Sequence, residues 1–247
     1  MSVSEKLQKV GEQLCNDVPL ADVRIGLGYT YVELQDGKAG IAWTPGRDGA
    51  ASCTHLPRAG KLQECSESEA LGFLAGEGHL ERAIGLATFN AVNSRVKREV
   101  DEMEAIARLE IQPADRVVMV GHFVPLIARI KKSGCQLDVL ELNTNKPALV
   151  DLRDDHEILA ECDVAIITST SIINNTVEGL LRHLQQCRAA VMLGPSTPIC
   201  PEAFQETGIT QLSGSVVCEA EQVKKVISEG GGTMLMKKHL QFVNISV

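Results

Sequence analysis

Two residues able to hold or move a proton stand where an open sheet would present them. His122 directly follows the apolar run Val117 to Val120 and Gly121, and Glu141 falls near the end of the run Leu137 to Leu142, 20 residues after Gly121. A neutral imidazole beyond a strand end can act as base or metal ligand, and a carboxylate at that spacing often accepts ribose hydroxyls. The competing reading of His122 is a loop histidine bonded to backbone. Between them, Gly121, His122, Phe123 and Val124 could aim backbone amides at an anion, with Pro125 at the first helical position. Phe123 takes the place of the second glycine of GxGxxG, and no Gly-Lys-Ser/Thr follows, so neither a dinucleotide fingerprint nor a phosphate-binding P-loop is present.

Two later loops concentrate hydroxyls and amides. Thr168-Ser169-Thr170-Ser171-Ile172-Ile173-Asn174-Asn175-Thr176 precedes an apolar helical run, and Thr168, Ser169, Asn174 and Thr176 are its candidate ligand contacts. The bland alternative is helix capping, because Asn175 and Glu178 fit a capping box. Gly194 to Pro201 holds three prolines and could present Ser196, Thr197 and the Cys200 thiol rigidly, although turn structure alone explains it as well. In the first half, Asn90 interrupts the apolar helix Leu86 to Val92. A buried amide there must find partners, in its own half or across an interface with the second. Cys53 and His55 offer soft donors, but no HxxxH or CxxC completes a metal set.

The elements that must position these residues fall into two groups. Val3, Leu7, Val10 and Leu14 share helical spacing and predict an opening helix over 3–15. Strand-like runs follow at Val23 to Leu27, Tyr31 to Leu34 and Ala39 to Trp43, and Asp36-Gly37 predicts a type I′ hairpin between the last two. Leu80, Ala83, Ile84, Ala87 and Ala91 mark a helix whose stripe leaves out Glu81, Arg82 and Arg95. Residues 1–108 therefore read as a small α+β domain.

After Pro113 short apolar runs alternate with helix-length segments: Val117 to Val120, Leu137 to Leu142, Val164 to Thr168, Ala190 to Leu193 and Thr210 to Leu212. Helices are expected over 125–133, 155–161, 176–185, 201–206 and 219–229. Runs this short and apolar suit strands buried on both faces, so residues 109–247 are expected to fold as a doubly wound parallel sheet, making the whole an α/β protein.

Composition narrows the function classes. Lys plus Arg number 24 against 32 Asp plus Glu, a formal charge of -8, which argues against nucleic acid and anionic membrane as partners. No apolar run reaches the ~18 residues of a membrane span, and the first residues lack a signal-peptide pattern, so a cytoplasmic location is expected. Eight cysteines (Cys15, Cys53, Cys65, Cys135, Cys162, Cys187, Cys200 and Cys218) form no CxxC pair and are read as reduced. Those beside predicted strands, Cys162, Cys187 and Cys218, are read as inert packing.

The combined pattern resembles the heavy-metal chelation family. The residues that carry the resemblance are Gly26-Leu-Gly-Tyr-Thr-Tyr-Val32, Leu86-Ala-Thr-Phe-Asn-Ala91, Val120-Gly-His-Phe-Val-Pro125, Asn174-Asn-Thr176 and Gly194-Pro-Ser-Thr-Pro198, spread over nearly the whole chain. The resemblance implies an N-terminal domain similar to the enolase N-terminal fold, a Rossmann-like C-terminal domain and a site in the cleft between them, and it adds Tyr29 to the candidate ligand contacts. Three functions are weighed. The first is binding of a metal ion or a metal-chelating small molecule, with His122 or Glu141 taking protons from the ligand as metal enters. The second is a metal-independent enzyme acting on a nucleotide-like or carboxylated metabolite. The third is a non-catalytic metal carrier or sensor. The sequence identifies no cofactor; a divalent transition metal is the candidate class, and a second copy of the chain is a candidate partner.

Overall fold

The computed structural model describes residues 1–46, 56, 58–141, 150, 151 and 157–247. The Cys53 and His55 donors, Leu142 at the end of one expected strand and the first residues of the expected 155–161 helix lie outside them. Helix α1 (Val3–Glu12) begins on a reciprocal cap, Ser2 Oγ accepting from the Glu5 amide while Glu5 Oε2 accepts from the Ser2 amide. Strands β1 (Asp22–Ile25), β2 (Tyr29–Glu33) and β3 (Ala39–Trp43) form an antiparallel sheet in that order. The hairpin falls where Asp36-Gly37 predicts it, but its turn differs from type I′. Only Gly37 has positive φ (77°), Gly37 N–H donates to Leu34 O, and Leu34 N–H donates to Lys38 O, so the loop has three residues with glycine at its left-handed position.

Helices α2 (Glu67–Leu71) and α3 (His79–Asn93) complete the first half. Nearly every residue of α3 from Arg82 to Asn93 is buried, because this helix lies between the small sheet and the second half of the chain. Its small residues permit close backbone approach: a Cβ on Gly40 would overlap the Ala87 carbonyl oxygen and the Ala91 nitrogen. Arg82, expected outside the apolar stripe, is buried instead, and donates to the carbonyls of Ile173 (2.6 Å), Gly76 (2.7 Å) and Glu77 (2.8 Å). Hydrogen bonding to three carbonyls is what makes that burial tolerable.

The second half runs β4 (Arg116–Val120), α4 (Val124–Ile130), β5 (Gln136–Glu141), β6 (Val150–Asp151), α5 (Glu157–Ala160), β7 (Val164–Thr168), α6 (Thr170–Ile173), α7 (Val177–Leu181), β8 (Ala189–Leu193), α8 (Pro201–Phe204), β9 (Gln211–Val217), α9 (Ala220–Ser228), α10 (Thr233–Met236) and β10 (Leu240–Ser246). These strands form one sheet ordered β10-β9-β8-β7-β4-β5-β6, parallel except for the antiparallel pair β9/β10. Taken in chain order from β4, its first six strands follow the 3-2-1-4-5-6 arrangement of doubly wound sheets. Strands β6 and β10 and the carboxyl half of β9 go beyond the five expected runs. Ser213, Ser215 and Asn244 interrupt the apolar pattern there, yet all three are buried because each is hydrogen-bonded.

Alternation along the strands divides the core. Val118, Val120, Ala165, Ile167, Ala190 and Met192 belong to a cluster continuous with Leu7, Ile84 and Phe89 of the first half. Val117, Met119, Val164, Ile166 and Val191 face the other way, with Ile130 of α4 and Leu109. A third cluster joins Tyr29, Tyr31 and Ile41 of the small sheet to Val223 and Ile227 of α9 and Met236 of α10, so the last helices return to cover the first half. Among the described residues no helix is long and apolar enough to cross a membrane.

At the amino ends of β4 and β8, buried Asp115 accepts from the Arg188 guanidinium and from the Gln112 amide. Burial alone would raise its carboxyl, but the Arg188 and Gln112 hydrogen bonds and the Arg188 charge outweigh burial and hold it below the usual value. A depressed folded-state value stabilises above the unfolded pKa, about 4, and that contribution fades as pH falls through the folded value. Wild type should therefore exceed Asp115→Asn in urea midpoint at neutral pH, with the gap closing below about pH 4; a gap independent of pH would refute the assignment.

Candidate functional site

The register of the parallel sheet determines which loops meet at its carboxyl edge. Val120 pairs with Leu140 on one side and Ile167 on the other, so the next residues in each direction are Glu141, Gly121 and Thr168. The Gly121 N–H continues the ladder to Leu140 O at 2.9 Å, and the Ser169 N–H continues it to Leu193 O at 3.0 Å. Strands β4 and β7 are the neighbours at which the strand order reverses, the place where open α/β sheets form a ligand crevice. Gly121 has φ of 98°, and a Cβ there would sit 2.9 Å from Thr168 Cβ. Glycine is thus required twice over, by conformation and by space.

Among the described residues around this point, the polar side chains include hydroxyls, the His122 imidazole and the Glu141 carboxylate. Thr168 Oγ1 lies 3.0 Å from Thr170 Oγ1, and the Thr170 N–H donates to Thr168 Oγ1 at 3.3 Å. Ser171 Oγ donates to Thr168 O, and buried Ser169 places its Oγ against Gly194, the first residue after β8. His122 follows Gly121 and is half-buried, its carbonyl accepting from the Val124 N–H at 3.2 Å. Phe123 precedes α4 and packs its ring against the Met119 and Ile130 side of the core, so it supports the loop from below.

A second group lies along the seam with the small sheet. The Trp43 N–H donates to Ser196 Oγ at 2.7 Å, and Asn90 Nδ2 donates to both Ile41 O (2.9 Å) and Ser196 O (3.1 Å). The Asn90 amide therefore bonds within its own half and across to the other. Tyr29 pairs with Trp43 in the β2/β3 ladder, and its hydroxyl meets Thr233 Oγ1 at 2.7 Å. Thr197 is buried, its Oγ1 without a partner among the described residues, and with Asn90, Asn93 and Arg98 it lines a cavity of about 380 Å³.

Of the residues the sequence singles out, Gly121, His122, Thr168 and Ser169 lie at the switch point with Glu141 flanking Gly121 from β5, Asn90, Ser196 and Thr197 lie along the seam, and Tyr29 lies on the other face of the small sheet against α9 and α10. Asn174 and Thr176 join neither group. Helix α6 starts right after Ser169 and carries the chain away, with Asn174 as its C-cap. The expected Asn175–Glu178 capping box is also absent: Asn175 takes φ of 58°, Thr176 is the N-cap of α7 without a side-chain cap bond, and Glu178 Oε1 accepts from the Val3 amide. Thr170 and Trp43 are contributors that sequence spacing did not single out. Thr170 was legible as the third hydroxyl in a strand-end run; Trp43 acts through its backbone and leaves no side-chain signal. Among the described residues, no three His, Cys, Asp or Glu side chains gather as a preformed metal set.

The fold is a doubly wound α/β sheet with a glycine at its switch point, packed through α3 against a small α+β unit. The chain belongs to the DUF364 family, described as "Putative heavy-metal chelation", whose model matches residues 104–246. A companion model carrying the same description matches residues 7–93. Among solved structures, a protein of unknown function from Pyrococcus horikoshii is similar with a TM-score of 0.86 and 24% identity, over 99% of this chain and 100% of that one. Another from Desulfitobacterium hafniense is similar with a TM-score of 0.76 and 22% identity, over 98% and 99%. An uncharacterized protein of Methanocaldococcus jannaschii is 24% identical over 164 residues, 64% of this chain; the match spans 63% of that relative's length.

Proposed function

We propose that this protein binds a heavy-metal ion together with, or already held by, a chelating small molecule in the crevice between its two halves, in the cytoplasm. The observation that carries the reading is the β4/β7 switch point, where Gly121 clears space beside Thr168 and His122 stands next to it. The donor set suits a metal that arrives with most of its ligands supplied. One imidazole and several hydroxyls can complete a coordination shell and hold the chelator's polar groups, whereas a bare cation would need three or four converging protein donors. His122 supplies the nitrogen donor, Glu141 a carboxylate on the same edge, and Thr168, Ser169 and Thr170 the hydrogen bonds that orient the ligand. Since metal ligation requires deprotonated donors, whichever of His122 and Glu141 does not ligate is the group to accept the chelator's proton as metal enters.

A metal-independent reading, in which the Thr168 and Thr170 hydroxyls hold a carboxylate or phosphate of a metabolite, is favoured by their 3.0 Å clustering. A thermal-shift screen separates the two, because a ligand selective for the folded state raises the transition temperature with occupancy. The panel is divalent cobalt, nickel, copper and zinc, tetrapyrroles with and without metal, and nucleotides. Stabilisation by metal or tetrapyrrole, abolished by a competing chelator in the metal case, is the expected result. Stabilisation by nucleotides alone would overturn the metal reading.

A further inference from the structure

At the opposite end of the sheet from the crevice, two thiols face each other. Cys162 lies two residues before β7 and Cys187 two residues before β8, and the register pairs Val164 with Ala189. The pairing extends backwards, since the N–H groups of Arg188 and Ala189 both point to Asp163 O, at 2.9 and 3.4 Å. The two cysteines are therefore opposite each other across adjacent parallel chains. Neighbouring strands run about 4.8 Å apart, inside the Cα window of about 4.4 to 6.8 Å that a disulfide requires. Their sulfurs are already 3.0 Å apart, leaving roughly 1 Å of approach to a bond of about 2.05 Å.

We propose that Cys162 and Cys187 form a reversible redox pair, closing to a disulfide that ties the start of β7 to the start of β8. The two thiols differ in a way that orders the steps. Cys162 is buried and Cys187 is partly exposed, so an incoming small-molecule disulfide reaches Cys187 first. Hydrogen bonding from the Cys162 S–H holds the Cys187 thiol below its ordinary range, which favours the thiolate at the accessible position. Elsewhere in the chain burial pushes Cys15 up to about 11 and Cys200 up to about 12.

The Cys187 thiolate attacks one sulfur of the small disulfide, forming a mixed disulfide and expelling one thiolate. Cys162 then loses its proton to solvent, and its sulfur attacks Cys187 Sγ and expels the second thiolate. Two protein thiols are oxidised to one disulfide, one small disulfide is reduced to two thiols, and the two protons reappear on the leaving groups. The crosslink spans α6 and α7, the elements between β7 and β8, and leaves the Gly121 edge untouched.

The experiment equilibrates the full chain with glutathione at set ratios of oxidised to reduced form, quenches in acid, alkylates the remaining thiols and maps unreduced peptides. Wild type is expected to yield a Cys162–Cys187 linked peptide, at least tenfold more abundant at the oxidising than at the reducing end, with an intact mass lower by two hydrogens and full reversal by dithiothreitol. In Cys162→Ser the second step is blocked, so Cys187 should accumulate as the glutathione mixed disulfide. Cys187→Ser should leave Cys162 free for alkylation. Full alkylation of both cysteines in wild type at every ratio overturns the proposal without reference to any variant. Linkage of Cys162 to another cysteine overturns it equally, as does a Cys162→Ser protein in which Cys187 stays free while exposed Cys218 takes glutathione.

Discussion

Gly40→Ala is expected to destabilise the protein by about 3 kcal/mol or more, or to prevent folding, although it adds only a methyl group. The added Cβ would overlap the backbone of α3 at Ala87 and Ala91, and backbone cannot swing aside as a side-chain end can. To relieve the clash β3 must lift from α3, which breaks the bond from Asn90 Nδ2 to Ile41 O and loosens the bond from the same amide to Ser196 O. The consequence thus reaches the seam of the candidate site. Urea unfolding of the variant measures it: a midpoint within experimental error of wild type would mean that the strand and helix are not held in the contact described.

Glu67→Ala should cost a similar amount, about 3 to 5 kcal/mol, by removing the buried one of the two carboxylates that pair with Arg95. Glu67 is fully buried, and its two oxygens accept from both terminal nitrogens of Arg95 at 2.7 Å, while Oε2 also accepts from the Asn16 N–H at 2.8 Å. Arg95 in turn holds Asp36 of the hairpin and the Leu14 carbonyl at the exit of α1. One carboxylate therefore ties together α1, α2, the β2/β3 hairpin and the end of α3. Glu67→Gln keeps an acceptor and the volume and should lose less; a double-mutant cycle with Arg95→Ala should return a coupling above 1 kcal/mol, and additive losses would contradict the shared network.

The sequence made legible those elements whose local pattern agrees with their tertiary role. Strands β4, β7 and β8 are apolar runs buried on both faces, and their ends fall within a residue or so of the expected positions. What stays hidden is burial secured by hydrogen bonds instead of hydrocarbon: the carboxyl half of β9 meets β10 through Ser213 and Asn244, and Arg82 sits inside α3 on three carbonyls. Neither the Glu67–Arg95 pair, 28 positions apart, nor the Cys162–Cys187 pair is visible in a composition reading, because each depends on register or packing between distant segments.

The candidate site divides along the same line. Gly121, His122, Glu141, Thr168 and Ser169 were legible because one rule, that ligands lie beyond the carboxyl ends of parallel strands, needs only strand ends to apply it. Asn174 and Thr176 belong to the same hydroxyl-rich segment, but the sequence does not show that α6 begins at Thr170 and takes the chain off the edge. Cys218 was expected to be packed beside a strand and is exposed, since β9 runs on to Val217 and the chain turns outward there.

The claim that the β4/β7 crevice is the binding site is tested most directly by titrating the strongest stabiliser from the thermal-shift panel into wild type, His122→Ala and Thr168→Val, with unfolding curves recorded on the same preparations. Losing the imidazole or the hydroxyl should weaken binding about tenfold or more, equivalent to about 1.4 kcal/mol, while urea midpoints stay near wild type, because both side chains are only half-buried at the sheet edge and contribute little packing. Unchanged affinity in both variants would place the ligand elsewhere and contradict the account.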